Sequence, residues 1–323
     1  MRVISKQRAM STARVLLVVS AVAFCAYSLL SQWEETTEAF ARMSWPALAG
    51  SFLAAVGGLT AWMLSWRVLL AGLGSPIPVT AAARMSFISG LGKYVPGKVW
   101  ALVTLMELGR AYGIPRIRNV SSSLLAIATS LASGLAVAAV TLPLTSPEAT
   151  RTYWWLFLLA PVLLAMLHPR IVTWGIDLLL KLARRPGLEH PVSLAATCHA
   201  TAWATAGWAL FGVHTWLIAD AAGGDGRGLP FLATGAYALA FTAGFLVFIA
   251  PNGFGAREAV IVITLSPVLP SGAPLVVALV SRVVLTLADL ACAGAVLAVG
   301  RGGGNEPGPS RLDTDREPMK ERS

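Results

Sequence analysis

The chain has 323 residues, of which 56% are hydrophobic and only 13% charged, and its formal net charge is +9. Soluble domains carry about one quarter charged residues, so a soluble enzyme is excluded as the bulk of this protein. Excess positive charge in so apolar a chain points to membrane topology and anionic lipid headgroups rather than to nucleic acid.

In chain order, residues 1–14 hold Arg2, Lys6, Arg8 and Arg14 and read as a cytoplasmic N-terminus. A transmembrane helix needs about 20 apolar residues. Runs near that length occupy 15–30, 45–70, 120–142, 153–167, 193–219, 230–250 and 274–299, which predicts seven full spans. The first follows a basic start, but the small-residue pattern Ala39-Phe40-Ala41 lies beyond Glu34, Glu35 and Glu38, so it reads as an uncleaved span rather than a signal peptide. Shorter apolar pieces at 79–88, 99–108 and 256–269 fall short of crossing. Residues 300–323 balance five basic against five acidic residues with little apolar content and read as a disordered tail. The side on which that tail lies depends on whether 256–269 crosses.

Orientation follows from Lys and Arg. Four lie in the N-terminus, seven between Arg67 and Arg118, and four more are Arg170, Lys181, Arg184 and Arg185; the intervening loops hold one each, Arg42, Arg151 and Arg227. The positive-inside rule places the basic segments in the cytoplasm. A single cysteine at Glu35, in a cysteine-free background, is expected to react with an impermeant thiol reagent on intact cells, whereas one at Arg185 stays unlabelled; the reverse pattern inverts this topology.

Two stretches break the apolar pattern. The first is GLGKYVPGKVW, residues 90–100, which concentrates two of the chain's five lysines, Lys93 and Lys98, with Gly92, Pro96 and Gly97. It predicts two short helices joined by a Gly and Pro tip, a re-entrant hairpin of the kind tolerated at membrane depth only where it is buried in protein or lines a polar cavity. Pro96 suits a helix start, whose free N–H groups and partial positive charge favour an anion. Trp100 reads as core packing, with packing on a lipid chain as the alternative. Glu107 and Arg110, three apart, read as a local surface pair. The second stretch, APNGFGAREA, residues 250–259, repeats the layout with Pro251, Asn252, Gly253 and Gly255 ahead of Arg257 and Glu258. Glu258 either caps the new helix or pairs with Arg257. Interrupted segments in both halves of a chain point to a transporter-like site between repeats. In the last span Arg282 and Asp289 are seven apart, hence on one helical face but about 10 Å apart in rise. They are too distant for a direct pair, and both are expected to line the same cavity.

Other chemistry lacks support. No Gly-x-Ser-x-Gly elbow, P-loop or HExxH motif occurs. His168, His190, His199 and His214 do not cluster, and Cys25, Cys198 and Cys292 sit in apolar runs without ligand spacing. His199 and His214 read as packed or interfacial histidines. Trp33, Trp45, Trp154 and Trp155 lie near span ends, where an aromatic belt accounts for them.

The pairing of GLGKYVPGKVW with APNGFGAREA resembles the lysylphosphatidylglycerol synthase transmembrane-region family, also called flippase-like integral membrane proteins, over roughly residues 15–299. The resemblance implies movement of aminoacylated phosphatidylglycerol between leaflets. It also implies a cytosolic aminoacyltransferase domain, which is expected to be lacking here because the chain stops at Ser323. Stand-alone relatives are linked to polyprenyl-phosphate sugars, hopanoids or glycolipids.

The expectation is an all-α, multi-pass membrane protein with about 7–8 transmembrane segments and two re-entrant or broken helices. The flippase-like domain covers residues 15–299, in the plasma membrane of a bacterium (its inner or cytoplasmic membrane). It is expected to bind and translocate an anionic phospholipid or lipid-linked precursor, without enzymatic activity, cofactor, metal or nucleic-acid partner. Lys93, Lys98 and Arg257 would hold the phosphate, and Glu258, Arg282 and Asp289 would line the cavity. The alternative is a non-transporting membrane partner that presents lipid to a separate glycosyltransferase or lipid-modifying enzyme.

Overall fold

The computed structural model describes residues 41, 43–94, 100–168, 170–171, 174, 193–246 and 255–302, with backbone alone at 300–302. The predicted first span at 15–30 and most of the tail lie outside the described residues, as do Pro96, Gly97, Lys98, Pro251, Asn252 and Gly253. Among the described residues the chain is all-helical: α1 (Trp45–Gly72), α2 (Val79–Gly90), α3 (Trp100–Ala111), α4 (Arg116–Thr141), α5 (Pro147–Tyr153), α6 (Leu156–Ala165), α7 (Leu194–Ala221), α8 (Leu229–Leu246), α9 (Ala256–Leu265) and α10 (Ala273–Gly302). Two 3-10 turns, Leu91–Tyr94 and Pro143–Thr145, follow α2 and α4.

Among the described residues, four helical stretches are long and apolar enough to cross a membrane: Trp45–Gly72, Arg116–Thr145, Leu229–Leu246 and Ala273–Val299. The protein is therefore a multi-pass membrane protein. α7, with 28 residues, is long enough to cross, but His199, His214 and four threonines lower its hydropathy below that of those four. The predicted span at 153–167 is corrected by the structure. A turn at Trp154-Trp155 separates α5 from α6, and α6 has only 10 residues with Pro161 inside it. Ten residues rise about 15 Å, half the hydrocarbon thickness. α9 is equally short, so it does not cross as a helix by itself.

Local sequence sets several boundaries. Ser44 and Ser193 cap α1 and α7 by accepting hydrogen bonds from the N–H groups of Ala47 and Ala196. Pro115 precedes α4, and Pro143 ends the regular helix after Thr141. Within the helices many hydroxyls donate to carbonyls four residues back, as Thr215 does to Phe211 and Thr242 to Ala238. A hydroxyl bonded in this way needs no water inside the bilayer.

α1 and α7 make the most extensive helix pair and run antiparallel. The order of contacts fixes their register: Gly50 meets Leu217, Gly57 meets Leu210, and Ser65 donates to the carbonyl of Ala200. Apolar lipid removes the water-driven incentive for helices to associate, so small residues that permit close packing carry the interface. A Cβ on Gly58 would lie 2.8 Å from the Phe211 ring, and one on Gly207 would lie 2.4 Å from Trp62. Trp62, Trp208, Phe211, Tyr237 and Phe241 pack beside this seam, mostly edge to face, with Phe211 stacked on Tyr237. The Trp208 indole N–H reaches Ser133 on α4 at 3.1 Å.

α2 and α3 form the short hairpin arms expected around the first interruption. α3 is held to α4 by the Asn119 amide, which donates to the Leu105 carbonyl at 2.8 Å. Glu107 and Arg110 pair on the exposed face of α3, as read from their spacing. Trp100, read as core, is instead 53% exposed at the start of α3 and faces outward beside exposed Val103.

Candidate functional site

The 3-10 turn Leu91–Tyr94 carries the lysine and tyrosine of the first motif against the middle of α10. Close approach explains Gly92: a Cβ there would fall 2.5 Å from the backbone nitrogen of Ala101, so a side chain would push the turn off the start of α3. From this turn the Lys93 ammonium lies 2.5 Å from Asp289 Oδ2. The Tyr94 hydroxyl donates to the same oxygen at 2.6 Å and lies 3.4 Å from Thr286 Oγ1. The Lys93 side chain is 34% exposed whereas that of Asp289 is 10% exposed, so the cation faces an opening and the carboxylate faces the interior.

The second motif is built at the start of α9. Gly255 has φ +88°, a left-handed conformation suited to glycine, and delivers the chain into the helix. Glu258 accepts the Gly255 N–H at 2.7 Å through one oxygen and pairs with the Arg282 guanidinium through the other. Of the two roles read for Glu258, capping is the one observed; its ionic partner is Arg282 of α10 instead of the adjacent Arg257. One N–H at this helix start is thus taken by the protein's own carboxylate. Arg257 turns the other way and lies over the Tyr237 ring, 4.7 Å from its centroid. Its Nη2 is buried with no hydrogen-bond partner among the described residues. A buried guanidinium nitrogen left unpaired is costly.

The two halves share one interior. The charges of Arg257 and Asp289 both act on Tyr94 and on Tyr237, placing all four groups in one polar neighbourhood. Close by, His214 is fully buried, with Nδ1 2.7 Å from the Ser51 hydroxyl and Nε2 2.8 Å from that of Ser281. It ties α1, α7 and α10 together and has both ring nitrogens partnered.

Arg282 and Asp289 do not pair with one another, as their spacing requires; each instead holds one motif, Asp289 the first and Arg282 the second. Among the described residues this cluster combines the cations Lys93, Arg257 and Arg282 with the carboxylates Glu258 and Asp289. Sequence reasoning missed Tyr94 and Tyr237, whereas His214, read as a packed histidine, is packed. Tyr94 was open to discovery because it lies inside GKYVPG. Tyr237 sits singly in an apolar run and carries no local signal.

No curated protein matches this chain. The family profile described as the lysylphosphatidylglycerol synthase TM region matches residues 12–293, almost the whole of the stretch that carries both motifs, and the chain belongs to that family.

Proposed function

We propose that this protein binds a lipid with an anionic phosphate headgroup and carries it between leaflets. Arg257 and Lys93, together with Lys98, supply the charge. The observation that carries the reading is the buried, unpartnered Nη2 of Arg257. It lies in a cluster where three cations meet two carboxylates. One positive charge in excess, at membrane depth, calls for an anion that the protein itself does not supply. Intramembrane ionisable residues are held for function because each is costly to keep there. A phosphodiester brings one negative charge and several acceptor oxygens, which suit a guanidinium, an ammonium and a phenol together. Among lipids, phosphatidylglycerol and polyprenyl-phosphate-linked sugars share this chemistry.

Reconstitution into liposomes with fluorescent phosphatidylglycerol tests the reading. Accessibility of the probe to an outside quencher should rise at least about tenfold faster than in protein-free vesicles, the factor that separates a specific path from leak by about 1.4 kcal/mol. Saturable binding without leaflet exchange would replace transport by presentation of lipid to a separate enzyme. Formation of a new lipid species by the purified chain would make it an enzyme.

A further inference from the structure

We propose that Asp289 is a resident competitor for the lipid phosphate: its carboxylate occupies the place on Lys93 and Tyr94 that a phosphate oxygen takes when lipid binds, and its return expels the headgroup. The inference rests on the phosphate-lipid reading above and deepens it by assigning a release step to a named residue. An ammonium and a phenol converge on the single oxygen Oδ2, at 2.5 and 2.6 Å. A non-bridging phosphate oxygen accepts the same two donors.

The other carboxylate of the cluster is arranged differently. The Glu258 side chain is 4% exposed and held from both sides, by the Gly255 N–H and by Arg282. That makes it a structural pair. Asp289 faces a partner that is a third exposed and sits on a flexible four-carbon stem. An incoming anion therefore reaches Lys93 from the open side, and Lys93 can follow it without moving a helix. Carriers and channels need binding favourable enough to admit the ligand and weak enough to let it go. A self-ligand that competes for Lys93, while the Nη2 of Arg257 stays available, meets both needs.

The test uses the purified full chain in detergent and in liposomes. In Asp289→Asn, which keeps an acceptor for Tyr94 and removes the charge, the phosphatidylglycerol concentration for half-saturation should fall about tenfold, in line with loss of one charge-assisted competitor. The maximal leaflet-exchange rate should fall with it. An unchanged half-saturation beside normal wild-type binding would overturn the inference and leave the functional reading intact. Absence of saturable phosphatidylglycerol binding by wild type and variant alike would overturn the functional reading and this inference together.

A second measurement needs no substitution. A membrane-permeant carbodiimide activates the Asp289 carboxyl, the Lys93 amine attacks it, and an amide forms as the reagent leaves as its urea. The crosslink, read by peptide mass spectrometry, should form in lipid-free protein. Phosphatidylglycerol should suppress it several-fold and zwitterionic phosphatidylcholine should not. Crosslinking unaffected by phosphatidylglycerol would refute displacement. Equal suppression by inorganic phosphate would keep displacement and move the ligand from lipid to soluble phosphate.

Discussion

Arg257→Ala and Arg257→Lys are both expected to weaken phosphatidylglycerol binding by roughly 10-fold to 100-fold, the equivalent of one charged hydrogen-bonding contact of about 1.5–3 kcal/mol. The alanine change removes the guanidinium whose buried Nη2 lacks a partner. The lysine change keeps the charge and can still lie over Tyr237, where the guanidinium now sits 4.7 Å from the ring centroid. What lysine cannot reproduce is a pair of parallel N–H donors aimed at two phosphate oxygens. A residue present only to obey the positive-inside rule would behave otherwise, because that rule counts Lys and Arg alike. Binding and leaflet exchange by the purified variants, with membrane insertion checked in parallel, separate the two. Wild-type behaviour in Arg257→Lys would remove Arg257 from the phosphate site.

Arg282→Met should be the most destabilising single change in the cluster, by about 3–5 kcal/mol, because it leaves the Glu258 carboxylate buried without its guanidinium. Only 4% of that side chain is exposed, and the Gly255 N–H would be its one remaining partner among the bonds described here. Glu258→Gln should cost less, since it leaves no buried carboxylate stranded and its single amide oxygen can still accept from either the Gly255 N–H or Arg282. In the double variant Glu258→Gln with Arg282→Met no buried charge is stranded, and more than half of the loss should return. Thermal unfolding in detergent, followed by tryptophan fluorescence, provides the readout. Additive losses in the double variant would mean that the two side chains act independently and that α10 does not anchor the second motif through this pair.

The same pair shows how far local reasoning reaches. Helix starts after Ser44, Ser193 and Pro115 follow from side chains adjacent in sequence. The partner of a charged group is another matter. Tyr94 and Asp289 are separated by 195 positions, and nothing near either of them names the other. Glu258 had two readings from its neighbours, and the capping one holds, yet its ionic partner lies 24 positions away on α10. The span read at 153–167 fails for a related reason. Apolar length is necessary for crossing, but Trp154 and Trp155 form a turn and leave only a 10-residue helix beyond it.

Composition and local backbone chemistry by themselves determined that this is an all-helical membrane protein and that two Gly and Pro breaks precede its basic motifs, because apolar length and backbone freedom are properties of contiguous residues. The tertiary structure alone decided that α10 joins both motifs, that Asp289 pairs with Lys93, and that Arg257 has a buried nitrogen without a hydrogen-bond partner among the described residues. In water, the apolar face of a helix announces where its neighbours lie. In a bilayer a helix is apolar nearly all round, so its facing is set by small-residue fit and by a few buried polar contacts between distant segments, and neither can be read from one helix at a time.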